Sequence, residues 1–129
     1  MGYSIPAALG AKLARPTRPV LAVCGDGSFQ MSMNELGTIA QNHIGVKIII
    51  MRNVRLGMVR ELQDNLYQGR HSATILDKTL DFQKIAEAYG IPSQMVSNNE
   101  DAIKAAETML ETDGAYLLIC NVSPDTPSI

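Results

Sequence analysis

Two short stretches carry the residues best able to do chemistry. Gly25-Asp26-Gly27-Ser28 closes an apolar run that begins at Val20, and Asn53 closes a second run that begins at Val46. Asp26 is a hard oxygen donor, and Asn53 adds a neutral oxygen 27 residues further on. Magnesium prefers oxygen ligands and is often held by one or two protein groups plus substrate phosphates. Gly25 and Gly27 lack Cβ, so the backbone can bend sharply and approach a ligand closely. Ser28 and the N–H groups of Gly27 and Ser28 can face phosphate oxygens, as N–H-rich turns before a helix do. A diphosphate held through magnesium fits these parts. Asp-Gly is also a common turn dipeptide, so the weight comes from context: a strand before it, a helix-sized segment after it, and a second strand that ends on an Asn.

Positioning those groups requires parallel strands. Both polar ends then fall at strand carboxyl ends, where open α/β sheets bind ligands. Around them, Tyr3–Ala14 reads as a helix with Pro6 in its first turn and Ala7, Ala8 and Ala11 small enough for close packing. Pro16–Pro19 ends it. Ser32-x-x-Glu35 reads as a capping box for a helix running to about Asn42, with Leu36, Ile39 and Ala40 on one face and His43 closing it. Met31 and Met33 read as core filler. Val46–Met51, broken only by Lys47, reads as a strand buried on both faces.

Residues 53–57 leave that strand as a loop, and Met58, Val59, Leu62 and Leu66 form a helical stripe. Residues 67–79 read as a loop holding a solvated His71. Asp81 starts a helix with Phe82, Ile85, Ala86 and Tyr89 at helical spacing, stopped by Gly90. Pro92–Val96 is a short strand. Asn99 caps a helix with Ile103, Ala106, Met109 and Leu110 inward, stopped at Asp113-Gly114. Tyr116–Val122 is the last strand, and Ser123–Ser128 a tail. The alternation predicts an α/β fold with a doubly wound parallel sheet, helices on both faces and right-handed crossovers.

The chain has 129 residues, enough for one domain with a real core. A net charge of -2 and a pI near 5.6 provide no basic patch of the size nucleic acid needs. No apolar run approaches a membrane span, and no basic segment precedes an apolar one at the N-terminus, as a secretory signal would require. Cys24 and Cys120 lie in strand-like runs and suit the free thiols of a reduced cytosolic protein. No Cys/His spacing suits zinc. Walker A and Gly-x-Gly-x-x-Gly patterns are both absent from the sequence, which argues against the main alternative class, a non-catalytic α/β nucleotide-binding module.

The constellation resembles the thiamine-diphosphate-dependent enzymes, whose signature is Gly-Asp-Gly followed, after somewhat under thirty residues, by Asn or Asn-Asn. It stands here as Gly25-Asp26-Gly27-Ser28 … Arg52-Asn53. Arg52 replaces the first Asn, but the family's metal ligand is the second. Met1–Ala11 is similar to the segment before the signature. Leu56–Gln63 and Tyr67–Ser72 resemble acetolactate synthase large (catalytic) subunits in particular. The resemblance covers nearly the whole chain.

It implies thiamine diphosphate and magnesium as cofactors, with Asp26, Asn53 and the backbone carbonyl of Arg55 holding the metal. It implies cofactor contacts at Gly2, Gly25, Gly27, Ser28, Asn53, Gly57 and Met58. Met1 is either an initiator only or the apolar residue that supports the bent cofactor; both readings stay open. Leu62 falls at the mouth of the substrate channel, where acetolactate synthases usually carry Trp, a departure that bears on inhibitor binding. No catalytic residue is expected in this chain, because the family's activating glutamate sits on a pyrimidine-binding domain, usually of a neighbouring subunit.

Residues 1–129 are therefore expected to be the C-terminal part of a diphosphate-binding domain, without the pyrimidine-binding and middle domains, and with an unpartnered sheet edge or face. The whole enzyme would decarboxylate pyruvate and join the two-carbon unit to a second 2-oxoacid. The resemblance implies a cytoplasmic homo-oligomer, dimer or tetramer, in branched-chain amino acid biosynthesis, with room for FAD and a regulatory small subunit, and with no nucleic acid or membrane partner. A pyruvate oxidase, a glyoxylate carboligase or a 2-oxoacid decarboxylase is the nearest alternative.

Overall fold

Val20–Gly25, Val46–Arg52, Ser93–Val96 and Tyr116–Asn121 are strands β1 to β4 of one sheet in a computed structural model. The structure describes residues 1–76 and 79–125; the expected tail lies outside the described residues from position 126 onward. All three strand pairings are parallel, in the order β1-β2-β4-β3. The helices are α1 (Ser4–Ala14), α2 (Asp26–Gln30), α3 (Glu35–Gln41), α4 (Gly57–Tyr67), α5 (Phe82–Ala88) and α6 (Asn99–Glu111). None of the described helices is long and apolar enough to cross a membrane.

One sheet face is built from Ala22 and Cys24 of β1, Val46, Ile48 and Ile50 of β2, and Leu117 and Ile119 of β4. These β-branched and aliphatic side chains alternate along each strand, so every second residue meets the same core. Against them lie Ile5 and Leu9 of α1, Phe29 of α2, Leu36 and Ile39 of α3, and Phe82 and Ala86 of α5. Phe29 and Phe82 meet edge to face, centroids 5.2 Å apart, the arrangement ring quadrupoles favour. The opposite face is covered by α6, whose Ala105 and Met109 pack on Val96, Tyr116 and Leu118. When the path turns back from β3 to β4, the connecting helix changes face, as a constant crossover hand requires. The sheet is thus doubly wound, as expected.

Cover on that second face stops at β4 and β3. Leu21 and Val23 of the edge strand β1 remain 50% and 54% exposed, and Met51 of β2 is 40% exposed. An apolar half-face and an open edge strand are therefore present.

Several local expectations are corrected. The segment between β1 and β2 is two short helices joined by a turn, not one helix. The Ser32–Glu35 capping box does not form: Ser32 accepts the Glu35 N–H through its backbone carbonyl, its buried Oγ has no partner, and the Glu35 carboxylate bonds Asn34 and Thr38. Met31 and Met33 are exposed on that turn rather than filling core. Asn98, not Asn99, caps α6, its Oδ1 accepting the Asp101 N–H. Ala102, Ala105, Ala106 and Met109 face the sheet, while Ile103 and Leu110 point to solvent. Ala11 is also exposed. Asp81 does cap α5, accepting from Gln83 and Lys84. Buried Lys47 turns its ammonium to the carbonyls of Thr112 and Gly114, satisfying the chain as it leaves α6.

Candidate functional site

The β1–β2 register pairs Gly25 with Met51. Asp26 and Asn53 consequently emerge side by side at the carboxyl edge of the sheet. Asp26 opens α2 and is buried. Its Oδ1 accepts the Gly27 N–H at 2.9 Å and its Oδ2 accepts the Val54 N–H at 2.7 Å. The second bond joins the two strand ends directly. It depends on Val54 adopting a φ of 59°, a left-handed conformation costly for a β-branched residue. Strain of this kind persists only where the surroundings over-determine it.

Burial raises the Asp26 carboxyl above its ordinary value, while the Val54 and Gly27 N–H groups and the Arg52 charge pull it back. A carboxylate that is costly to desolvate and that borders a cleft is suited to a cation. Asn53 folds into an Asx turn, its Oδ1 accepting the Arg55 N–H at 3.0 Å. Among the described residues no three His, Cys, Asp or Glu cluster as a metal site. The local donor set is one carboxylate with amide and carbonyl oxygens, which is hard-cation chemistry completed by a ligand's own oxygens.

These groups border a cleft of about 450 Å³. Gly25, Asp26, Gly27 and Ser28 line one side, and Asn53, Arg55, Gly57 and Met58 line another. Met1 closes part of the rim, with its Cε 3.4 Å from where a Gly27 Cβ would stand. Gly2 holds Met1 in place by donating its N–H to Ser28 Oγ at 2.9 Å. The fold therefore brings the expected cofactor and metal residues to one cleft, with Gly2 behind its lining, bonded to Ser28. Leu62, expected at the channel mouth, lies 53% exposed on α4, outside the cleft lining.

Some roles differ from the expected ones. A Cβ on Gly27 would sit 2.5 Å from Leu56 Cδ2, so the bare position is used by a neighbouring side chain. Its N–H is held by Asp26 rather than left for a ligand. At Gly25 the Cβ direction is open, which leaves room for a ligand's approach. The Arg55 side chain turns away from the cleft to Asp125, 2.9 Å distant. Arg52, in the place of the family's first Asn, reaches Asn121 on β4. His71 lies exposed in its loop, as expected, and its Nε2 is 2.6 Å from Asp64 Oδ1.

Apolar wall residues escaped the sequence reading. Val23, Met51, Val59 and Val122 line the cleft beside Cys24. For Val23 the signal was available only in the strand alternation, which places 23 and 25 on one face; Val59 was visible only as part of the α4 stripe. Burial and the neighbouring Asp26 charge push the Cys24 thiol up to about 11, so it is an inert wall group at neutral pH.

A sequence profile of the family described as thiamine pyrophosphate enzyme, C-terminal TPP binding domain, matches residues 1–120. The chain belongs to this family. As a thiamine pyrophosphate enzyme domain it is 44% identical over 118 residues to the acetolactate synthase isozyme 2 large subunit of Escherichia coli strain K12, covering 92% of this chain and 22% of that protein. It is also 44% identical over 124 residues to the acetolactate synthase large subunit of Pyropia yezoensis, covering 95% of this chain and 21% of that one. A thiamine diphosphate-dependent 4-hydroxybenzoylformate decarboxylase of Rhodococcus jostii RHA1 has the same fold, with a TM-score of 0.90, 34% identity, and cover of 97% of this chain and 24% of that one. The chain thus spans about a fifth of the length of these curated relatives.

Proposed function

We propose that this chain is the thiamine-diphosphate and magnesium holding part of an acetolactate synthase-like enzyme. The observation that carries the reading is the Asp26–Val54 bond. It locks the Gly25–Ser28 turn to the Asn53–Gly57 loop across one cleft, in a chain 44% identical to acetolactate synthase subunits. Asp26, Asn53 and the Arg55 carbonyl would hold magnesium. Gly25, Gly27 and Ser28 would lie along the diphosphate, with Met1, Gly2, Gly57 and Met58 against the rest of the cofactor. Thiamine diphosphate supplies, when bound, the thiazolium carbon that attacks a 2-oxoacid. This chain's own residues bind and orient it. Val23, Met51 and Val122 would give it one apolar wall, and Asp26 would balance the metal's charge.

In the same reading the whole enzyme converts pyruvate and a second 2-oxoacid, serves branched-chain amino acid biosynthesis, and works as a cytoplasmic homo-oligomer. FAD and a small regulatory subunit are compatible additions. The pyrimidine-binding and middle domains belong to the rest of that enzyme, and the 129 residues alone are expected to release no carbon dioxide from pyruvate. The bare β1 edge beside Leu21 and Val23 favours self-association of the isolated chain. A 2-oxoacid decarboxylase is the second reading, favoured by the close structural likeness to the Rhodococcus enzyme.

Asp26→Asn in the full-length enzyme tests the assignment. It keeps size and one acceptor but removes the charge facing the metal. Activity at ordinary cofactor concentrations should vanish with the fold intact. Full activity at low magnesium would refute the Asp26 role.

A further inference from the structure

Residues 68–76 do not form an idle loop. Just past α4 the chain reverses through Gln68 and Gly69, both at positive φ, and runs back along the helix. Two clasps fasten it there. His71 Nε2 meets Asp64 Oδ1 at 2.6 Å, and Gln63 exchanges two bonds with the Ser72 backbone, at 2.9 and 3.0 Å. Beyond the clasps the segment lies antiparallel on the loop that follows Asn53. Leu56 donates to the Thr74 carbonyl at 2.8 Å, Leu76 donates to the Val54 carbonyl at 2.9 Å, and Arg55 stands opposite Ile75.

That pattern has a consequence for direction. In an antiparallel pair whose bonds run from the flanking residues, the central pair is the one that does not bond across. The N–H and carbonyl of Arg55 therefore point away from the strap. The N–H goes to Asn53 Oδ1, on the cleft side. Three of the four non-glycine residues with positive φ among the described residues are Val54, Gln68 and Ala73, in this loop and strap. Such strain needs neighbours that enforce it: the clasps flank Gln68 and Ala73, and the bond to Asp26 holds Val54. Thr74 is buried, and Leu76 packs toward Gly27.

We propose that Gln68–Leu76 is a positioning strap, clasped to α4 by His71–Asp64 and Gln63, that presets the Val54–Leu56 backbone and so the Arg55 carbonyl for the metal. This rests on the magnesium and thiamine diphosphate reading above. His71 touches neither metal nor cofactor in it; it acts through the strap.

The test compares wild type, His71→Ala, and His71→Gln, which keeps a donor for Asp64. Amide hydrogen exchange at Leu56 and Leu76 reads the strap without any ligand. Calorimetric titration of magnesium at saturating thiamine diphosphate reads the site. Ala105 and Met109 amides in α6 report the global fold, and Asp64→Asn replaces His71→Ala if that variant loses their protection. In His71→Ala, exchange at Leu56 and Leu76 should quicken and the magnesium half-saturation concentration should rise about tenfold, the lower end of what outer partners of metal ligands contribute. His71→Gln should restore most of both. Unchanged exchange, or faster exchange with unchanged magnesium affinity, would overturn the strap alone. Wild type that takes up no magnesium with thiamine diphosphate would overturn the underlying reading, and the strap's role with it.

Discussion

Helices α6 and α4 follow similar rules and end differently. Both are amphipathic, but only α6 packs on the sheet. α6 buries Ala105 and Met109 under a cap from Asn98. α4 buries nothing: Met58, Leu62 and Leu66 are 70%, 53% and 65% exposed. The apolar stripe of α6 is part of the core, whereas that of α4 borders the cleft at Met58 and Val59 and is open at Leu62 and Leu66. The half of the molecule around β3, β4 and α6 is closed on itself. The half around β1, β2 and α4 holds the site and leaves apolar surface for something else to cover.

The largest expected difference is thermodynamic. Met109→Ala should destabilise by about 2–5 kcal/mol, as core truncations do. Leu66→Ala should stay within about 0.5 kcal/mol, as exposed sites do. Denaturant unfolding of both variants measures this. Equal losses would mean that α4 is packed in solution, and the contrast would fall.

A second variant breaks the site half from inside. Gly27→Ala places a methyl on Leu56, and such overpacking costs about 1–3 kcal/mol. Leu56 belongs to the strapped loop, so magnesium-dependent cofactor binding should weaken more than stability does. A variant that binds like wild type would show that Leu56 yields freely.

The alternation of apolar runs was enough to read the parallel doubly wound sheet, because strands buried on both faces carry little polar interruption. Asp26 and Asn53 were legible for the same reason: each ends such a run. Details that depend on three-dimensional context were not. In α6, bulky Ile103 and Leu110 looked like the inner face, but the alanines at 102, 105 and 106 lie on the sheet, where small side chains allow close approach. Nothing in the type of residue 54 announces a positive φ; a valine there is set by its bond to Asp26. The Ser32–Glu35 pattern matched a capping box, yet the turn after α2 spends that serine's backbone instead.

On the exposed face of α4, Leu62→Trp in the full-length enzyme sharpens the description of that helix. A flat ring offers a stacking face that Leu lacks, worth about 0.5–1.5 kcal/mol. Planar aromatic inhibitors should bind more tightly by a corresponding factor. Unchanged inhibition constants would remove Leu62 from the substrate channel.

The smallest effect belongs to the seam between the two halves, where Lys47 of β2 reaches the chain leaving α6. Burial holds the Lys47 ammonium below its ordinary value of 10.5, with the Asp113 charge opposing. A base depressed in the folded state weighs against stability while charged. That weight is full below its folded value, fades as pH climbs through it, and is gone above 10.5. Stability relative to Lys47→Met should therefore rise with pH in the alkaline range below 10.5. The neutral amine still carries two N–H groups for the Thr112 and Gly114 carbonyls. Urea unfolding of both proteins at stepped pH reads the slope; a wild-type advantage that falls with pH would reverse the assignment.

The central claim is that the cleft between Asp26 and Asn53 takes a diphosphate through magnesium. Thermal unfolding of the chain with thiamine diphosphate and magnesium, against ATP and magnesium, tests it most directly, because a ligand bound only by the folded state raises the midpoint. The account predicts a rise with thiamine diphosphate that requires magnesium, little with ATP, and none in Asp26→Asn. An equal rise with ATP, or a rise that survives Asp26→Asn, would contradict it.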